Sequence, residues 1–428
     1  MAEVVAGLWA AEEVVSTSVQ AGAAGYAVAK PTMPVRASFE QFGAAIPETS
    51  RASLARSNHT LTALGNRAYI FGGQIGSGEL AGNEIHILCF SPAENGVPEY
   101  QAVPALSSEE TSPTPAARTK HSACAVGKNL VVYGGCDKAG NLVDDSSVLW
   151  EFDTQALKWR ILKPEMHPER IPPSRSEGIL LAHDNNLVLY GGRDKGGAPL
   201  RDVWYFNTFT KTWNALPSAP VATSSAATAS DTLYLVAASD NLSSVMYSLP
   251  IELYSPEPPT WHSTSFPTNP LTPGPGPRTN AGFLPVSTGY GRNFLLYMFG
   301  NKLKRAEGTS DGPALEAGDA IWDDMWTFQV PSSEPEMKAS TDLANAIKPA
   351  KIKDQIREKL GAHTGNLTWC KVEPRASSDQ TASTNEPRPE PRTCFASCPI
   401  ASTRTVVLWG GLSETGAALG DGWLVHLE

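Results

Sequence analysis

Short apolar segments alternate with polar turns along most of the chain, and one unit shows the pattern clearly. Residues 186–190 are mostly apolar and end in a double glycine, residues 202–206 open with Asp-Val-Trp, and residues 211–216 carry one tryptophan. Apolar and aromatic runs of this length, bounded by glycine and polar turn residues, predict β-strands. The unit therefore predicts three consecutive strands, within a repeat that begins near Ser174.

Variants of this unit occur six times between Arg51 and the end of the sequence. Repeats of this length indicate an array or a propeller, in which each unit packs on its neighbours. The fourth unit is degenerate, because residues 237–239 read Ala-Ala-Ser where other units carry glycines. The shared markers are the double glycines Gly72-Gly73, Gly134-Gly135, Gly191-Gly192 and Gly410-Gly411 and the tryptophans Trp159, Trp213, Trp261 and Trp369.

The sixth unit lacks a last strand, because the sequence ends shortly after residues 421–426. Residues 38–42, Ser-Phe-Glu-Gln-Phe, form an isolated alternating segment, with Phe39 at the place of the tryptophan. We expect this segment to complete the sixth sheet, since closing the ring covers strand edges that would otherwise pair with other chains. The predicted fold is all-β: a six-bladed β-propeller closed by an N-terminal strand, with a short N-terminal helix.

The chain is thus divided into an N-terminal region, residues 1–35, and a propeller, residues 36–428. Apolar residues recur at helical spacing over residues 4–20, which predicts an amphipathic helix, and an Ala- and Gly-rich connector follows it. Two insertions lengthen the fifth unit, at about residues 301–320 and 331–365. The second is rich in Ala, Lys and Glu, which favours a helix.

The glycine strands and tryptophans together resemble the kelch repeat, and the resemblance covers roughly residues 37–428. It implies four-stranded antiparallel blades, whose innermost first strands begin at one mouth of a central channel. Glycines would allow close backbone approach near the crowded axis, and the tryptophans would be buried between blades. Kelch substrate adaptors that resemble this chain hold acidic peptide turns with arginines, so the resemblance draws attention to arginines at the mouth.

The composition indicates an acidic cytoplasmic protein. The chain has 428 residues, a net charge of −10 and an isoelectric point near 5.4, which argue against a nucleic-acid or membrane-surface partner. Its six cysteines form no CxxC pair and no zinc-binding spacing, so we expect reduced thiols. The first residues lack the basic region of a signal peptide, and no apolar run is long enough to span a bilayer. We expect a monomer.

Arginine begins the first strand in five of the six units, a position that packing alone does not explain. One interpretation is structural: the arginines pair with acids between blades or bind loop carbonyl groups. The other is functional: they bind an anionic group at the mouth, since a guanidinium matches carboxylates and phosphates bidentately. Residues two positions further on should share the same side of the strand. The arginines are Arg56, Arg118, Arg175, Arg278 and Arg392, and the residues two positions on are Asn58, Lys120, Glu177, Asn280 and Cys394.

The predicted ligand contacts are the five arginines together with Asn58, Lys120 and Asn280. Glu177 is a candidate general acid or base, with a salt bridge to a neighbouring arginine as the alternative. His59 and His121 fall on the opposite face of their strands and are expected in the core. No nucleophile elbow, phosphate-binding loop or dinucleotide motif is present in the sequence, and no cofactor or metal is predicted.

Two functions are compatible with this pattern. The first is a stand-alone cytosolic kelch propeller that binds a partner protein or acidic peptide at an arginine-ringed channel mouth. The second is a cofactor-independent cyclase, isomerase or lyase of secondary metabolism, whose pocket at the same mouth holds an anionic small molecule. A deep, closed pocket would favour the enzyme, whereas a broad basin would favour a protein partner.

Overall fold

The structure, a computed structural model, describes most of the chain from residue 35 onward. The helix predicted over residues 4–20, the connector after it and the helix predicted in the second insertion lie outside the described residues. One helix is present within them, Glu48–Leu54, which leads into the first blade. The described ranges are 35–43, 46–90, 99–145, 147–165, 167, 170–238, 244–252, 256–266, 274–289, 292–305, 315–331, 367–375 and 387–428.

The repeats fold as six antiparallel sheets, here called blades one to six, each built outward from its first strand by consecutive pairing. Blade one contains Thr60–Leu64, Arg67–Phe71, Ile85–Cys89 and Tyr100–Val103, and blade two contains Ser122–Val126, Asn129–Tyr133, Trp150–Asp153 and Lys158–Ile161. Blade three contains Ile179–His183, Asn186–Tyr190, Val203–Asn207 and Thr212–Leu216, and blade four contains Ala226–Ala229, Thr232–Ala238, Ser244–Pro250 and His262–Phe266. Blade five contains Gly282–Gly289, Arg292–Met298, Met325–Val330 and Trp369–Lys371, and blade six contains Ala396–Pro399, Thr405–Trp409, Gly422–Leu427 and Arg36–Phe42.

The ring closes through the N-terminal strand, as predicted. Arg36–Phe42 pairs antiparallel with Gly422–Leu427, and Phe39 lies opposite Val425. The outer tryptophan of blade three has the same register, opposite Phe206. The first strands of the six blades contact one another in cyclic order, from blade one through blade six and back to blade one.

The core lies between the blades. Residues 187–190, in the second strand of blade three, are all fully buried, because neighbouring blades cover both faces of that strand. This two-sided burial explains why the second strands read as continuous apolar runs instead of alternating. Trp159 is equally enclosed, with ring centroids 5.3 Å from Phe71 of blade one and 5.1 Å from Phe152 of its own blade.

The double glycines join neighbouring blades. Gly134 has a φ of +76°, and a Cβ there would lie 2.6 Å from the carbonyl oxygen of Arg175 in the next blade. Gly135 N donates a hydrogen bond to that same oxygen at 2.9 Å. Glycine is required at this position because the approach of the two backbones leaves no space for a side chain.

The first insertion of blade five forms a β-ribbon. Asn301–Arg305 pairs antiparallel with Leu315–Ile321, and the ribbon also pairs with the short strand Arg278–Thr279. A similar short pair in blade one joins Arg56–Ser57, before the first strand, to Gln74–Ile75, after the second strand. Extra pairing therefore fixes the start of blades one and five at the mouth, meaning the end of the channel where the first strands begin. A further two-residue strand, Glu373–Pro374, pairs parallel with the outer strand of blade six.

Candidate functional site

The five predicted arginines lie behind the mouth and not on its surface. All five side chains are fully enclosed. Each Nη1 donates to a carbonyl group at the end of its own blade's second strand, as Arg118 does to Gly134 at 3.1 Å and Arg175 does to Gly191 at 2.8 Å. Arginine suits this place because it presents five donors in a fixed fork.

Four of the arginines also bind the aspartate that precedes the third strand. In blade three, Arg175 Nη1 and Nη2 donate to the two oxygens of Asp202, each at 2.7 Å, and Trp204 Nε1 donates to the same carboxylate at 2.7 Å. We call this arrangement the Arg–Asp–Trp clamp. The other clamps join Arg118 with Asp145 and Trp150, Arg278 with Asp324 and Trp326, and Arg392 with Asp421 and Trp423.

The clamp perturbs the titration of its carboxylate. Burial would raise the pKa of Asp202, but the hydrogen bonds and positive charge of Arg175 outweigh burial and hold that pKa below its ordinary value. The arginines therefore bind loop carbonyl groups, as the structural interpretation expected, but their acidic partners lie in the same blade and not between blades. Direct contact between these arginines and a ligand stays a prediction.

Blade one carries a variant of the clamp, in which Glu84 and His86 stand where the other blades have Asp and Trp. His86 Nε2 lies 3.0 Å from Arg56 Nη2 and 3.3 Å from Glu84 Oε1, and His86 Nδ1 lies 2.9 Å from the Tyr100 hydroxyl. Burial lowers the pKa of His86, which keeps its ring neutral near pH 7. This pair was not predicted, although Glu84-Ile-His86 has the spacing of Asp-x-Trp.

The residues two positions after the arginines reach the mouth surface. Their φ angles are all positive, between 51° and 56°, which turns the chain between the arginine and the first strand. The expectation that these residues share a face with the arginines does not hold, because alternation requires an extended backbone. Backbone hydrogen bonds between blades fix the turn: Lys120 N donates to Asn58 O at 3.1 Å, and Glu177 N donates to Lys120 O at 2.8 Å. The residues concerned are Asn58, Lys120, Glu177, Asn280 and Cys394.

These five residues line a cavity of about 700 Å³ at the mouth. Within it, Glu177 bridges two cations: Lys120 Nζ lies 2.6 Å from Oε1, and Arg193 Nε lies 2.8 Å from Oε2. Burial would raise the pKa of Glu177, but its bonds with Lys120 and Arg193 prevail and lower it. A carboxylate that stays ionised is a poor acid near neutral pH, and the catalytic role of Glu177 stays a prediction. Arg193 was not predicted, although its place directly after a double glycine could have indicated it.

Blade four forms a wall of this cavity and has no clamp. At the arginine position Thr223 binds its own blade instead, with Oγ1 donating to Val236 O at 2.6 Å. Ser224 Oγ accepts a hydrogen bond from Asn280 N at 3.2 Å, which joins blades four and five. The residues of this blade that line the cavity are small: Val221, Ala222, Thr223, Ser224, Ala237 and Ala238.

His59 and His121 lie in the core, as expected. Both rings pack against a double glycine of the neighbouring blade, and a Cβ on Gly72 would lie 2.7 Å from the His121 ring. Burial, reinforced by the charge of Arg118, lowers the pKa of His121 to about 3. Burial likewise lowers the pKa of His59 well below its ordinary value. Both imidazoles are therefore neutral near pH 7 and add no charge to the mouth.

One group of potential metal ligands occurs among the described residues, and it is not at the mouth. The donor atoms of His183, Asp184 and Asp231 lie within 4.8 Å of one another, at hairpin turns on the opposite face of the ring. The six cysteines are all free thiols. In the part of the chain that the structure describes, no helix combines the length and apolar character needed to cross a membrane.

Comparisons with known proteins agree with this architecture. A family model for the KLHDC2/KLHL20/DRC7 Kelch-repeats domain matches residues 58–297. The chain is similar to Kelch domain-containing protein 3 of Bos taurus, at 27% identity over 115 residues that make up 25% of this chain and 29% of that protein. It is also similar to N-(sulfonatooxy)prop-2-enimidothioate sulfolyase of Thlaspi arvense, at 24% identity over 190 residues, 42% of this chain and 47% of that protein. The chain thus spans less than half the length of either relative.

A solved structure supports the fold. The structure of YjhT superposes with a TM-score of 0.54 at 14% sequence identity, covering 87% of this chain and 97% of that chain. The clamps, the double glycines and the closed ring of six blades account physically for the sequence repeat on which the family model rests. Because the model matches more than half of the chain, the protein belongs to the KLHDC2/KLHL20/DRC7 Kelch-repeats domain family.

Proposed function

We propose that this propeller binds an acidic segment of a partner protein in the mouth cavity. The observation that carries the proposal is the charge of the lining. Two cationic side chains, those of Lys120 and Arg193, and one carboxylate, that of Glu177, border the cavity. This local excess of positive charge contrasts with the net charge of −10 on the whole chain and would attract an acidic ligand.

The proposal divides the predicted residues into two roles. Asn58, Lys120 and Asn280 would contact the ligand, because their side chains line the cavity and carry hydrogen-bond donors. The fully enclosed arginines would act by fixing the turns that carry these residues. Arg278 alone of the five arginines is among the lining residues, but its side chain is fully enclosed and paired with Asp324, so it would act in the same way.

A peptide selection tests this function. The wild-type chain would be used to select binders from a random-peptide phage library, and the best peptides would be measured by fluorescence anisotropy against Lys120→Ala, Lys120→Arg and Lys195→Ala variants. Lys195 is the matched control, because it is an exposed lysine outside the lining of the cavity. We expect enrichment of Asp- and Glu-containing peptides and about tenfold weaker binding by Lys120→Ala, the equivalent of one charge-assisted hydrogen bond.

Three results would count against the proposal. Selected peptides without acidic residues would show that the charge of the lining does not determine recognition. Equal affinities for Lys120→Ala and Lys195→Ala would place binding elsewhere. Failure of Lys120→Arg to retain most of the affinity would indicate that the shape of the lysine, and not its charge, is what the ligand requires.

A second candidate, a lyase that uses the same cavity, is favoured by the similarity to the Thlaspi arvense sulfolyase. In this candidate the cations would hold an anionic substrate and Glu177 would move a proton. The compound in that relative's name, N-(sulfonatooxy)prop-2-enimidothioate, would be incubated with the wild type and with Glu177→Gln, and its loss followed by chromatography. Loss with the wild type alone would support the enzyme, and no loss above the background would remove the support that this relative gives.

A further inference from the structure

A second cavity, of about 830 Å³, lies between blades two and three on the face opposite the mouth. We call it the blade 2–3 groove. It is bordered by the turn after the first strand of blade two, residues 126–129, and by the segment that leaves that blade, residues 160–165. On the other side it meets the hairpin of blade three that contains Thr208 and Lys211. No residue of the groove borders the mouth cavity, so the two sites are separate.

The floor of the groove is a rigid polar network. Glu151 is 8% exposed. It accepts hydrogen bonds from Arg160 Nε at 2.7 Å and Arg160 Nη2 at 2.9 Å, and from the amide of Asn129. The Arg160 side chain is thereby held in one orientation, and its bond to Glu151 raises its pKa. A guanidinium fixed in this way is organised before any ligand arrives.

The groove is positively charged. Arg160 and Lys211 are paired with Glu151 and Glu165, with Lys211 Nζ 2.8 Å from Glu165 Oε1. Lys128 and Lys163 have ammonium groups with no partner among the described residues. Four cations therefore face two carboxylates, on a chain whose net charge is −10.

An exposed aromatic side chain belongs to the hairpin that borders the groove. Phe209 is 94% exposed, although it lies between Thr208 and Lys211, which line the groove. The turn that presents it is held by hydrogen bonds, because the side-chain oxygen of Asn207 accepts from Phe209 N at 3.0 Å and from Thr210 N at 2.9 Å. The backbone of this turn is thus ordered, and it leaves the aromatic ring exposed to solvent. Ile161, 40% exposed, adds apolar surface within the groove.

We propose that the blade 2–3 groove is a second docking surface, which binds an acidic peptide segment of a partner protein that also carries an aromatic or aliphatic side chain. The carboxylates of the segment would pair with Lys128 and Lys163, and its apolar side chain would pack between Phe209 and Ile161. Charge complementarity selects this occupant, because the groove carries four cations against two carboxylates and would repel a basic segment. The combination of an exposed aromatic side chain and polar, charged surroundings is typical of protein-binding surfaces.

Photocrosslinking combined with affinity measurement tests the proposal. The probe is a fluorescein-labelled peptide, Asp-Glu-Bpa-Asp-Glu-Leu, in which Bpa is the photoreactive benzoylphenylalanine. Comparison peptides replace the acids by amides, or replace the two apolar residues by alanine. The protein variants are Lys128→Glu with Lys163→Glu, Phe209→Ala, and the control Lys195→Glu, all made in a Lys120→Ala background to weaken the mouth. These side chains are exposed, so each variant should fold, and far-UV circular dichroism on heating would check it.

We expect crosslinks within residues 159–163 and 202–211, mapped by mass spectrometry. The double lysine variant should bind about tenfold more weakly, since two attractions become repulsions, and Phe209→Ala about threefold more weakly. Lys195→Glu should bind within about twofold of the background protein.

Crosslinks confined to the mouth, or unchanged affinity in the double lysine variant, would overturn the groove as a docking surface while leaving the proposed function intact. Displacement of the probe by millimolar inorganic phosphate, or equal binding of the alanine peptide, would overturn a peptide occupant in favour of a small anion. Absence of binding by every probe peptide would also overturn the proposal.

Discussion

Removal of one carboxylate, by Asp202→Ala, tests whether the buried arginines stabilise their own blades. In the wild type, Arg175 is fully enclosed, while the Asp202 side chain is 27% exposed. The substitution leaves a buried guanidinium without its counter-ion and removes the acceptor of Trp204 Nε1. The carbonyl acceptors of Pro173 and Gly191 remain, so the arginine keeps part of its hydrogen bonding.

The expected cost is about 3 kcal/mol of unfolding free energy. Removing one partner of a buried ion pair costs about 3–5 kcal/mol, and the lower end applies because the partial exposure of Asp202 lets water reach Arg175 after the substitution. Asp202→Asn should cost less, about 1–2 kcal/mol, because the amide oxygen still accepts one hydrogen bond. The matched control is Glu79→Ala, which breaks an ion pair with Lys138 whose side chains are 58% and 55% exposed; exposed pairs contribute ~0–1 kcal/mol.

Urea unfolding, followed by tryptophan fluorescence and far-UV circular dichroism, measures the three variants. Coincident transitions from the two signals would show that the two-state treatment applies. A loss for Asp202→Ala no larger than that for Glu79→Ala would refute the structural role of the clamp.

Three further predictions follow from the geometry of the ring. Gly134→Ala should lower the unfolding free energy by about 2 kcal/mol, because the new Cβ would meet the Arg175 carbonyl group. Gly140 has a similar φ but open space around it, so Gly140→Ala should cost less. Urea titration of both variants measures the difference. Deletion of residues 1–43 should expose an edge of blade six and cause association, whereas deletion of residues 1–34 should not. Light scattering after gel filtration would detect the association. Its absence would contradict closure by this strand. Asp202 and the equivalent carboxyl of blade six have folded pKa values below their ordinary value of 3.8, so their contribution to stability is complete above that value and is lost as the pH falls through the folded pKa. Unfolding free energy measured between pH 6 and pH 3 should fall less in a protein with both replaced by asparagine, and an equal fall would contradict the assignment.

Much of the fold was predictable because short local segments of the sequence carry the repeat. Double glycines, aromatic strands and polar turns recur at each blade, so the strand pattern indicates the blades one by one. Closure by residues 38–42 was also predictable, since the sixth repeat lacks a strand and Phe39 supplies an aromatic residue in the correct register. The degenerate fourth repeat still forms a blade, because packing between its neighbours compensates for the missing glycines.

The candidate site was less predictable because its geometry is set by contacts between blades. Lys120 and Glu177 have left-handed φ angles that their residue types do not favour, and hydrogen bonds from the neighbouring repeat impose them. No local pattern in the sequence reports such a constraint. The partner of each arginine had a weak signal: arginine and aspartate are separated by 27 residues in both blade two and blade three. That regularity could have favoured the structural interpretation.

The six repeats depart from the common clamp to different degrees. In blades two, three and six, both carboxylate oxygens of the clamp bind the arginine. In blade five, one carboxylate oxygen does so. Blade one has the Glu84–His86 variant, and blade four has no clamp. The mouth cavity opens against blade four, whose small side chains leave space, while the cations beside it come from blades that keep their clamps. Complete repeats therefore supply the rigidity that holds charged residues in left-handed turns, and the incomplete repeat supplies the volume. It follows that repairing blade four toward the consensus would stabilise the ring and fill the cavity at the same time.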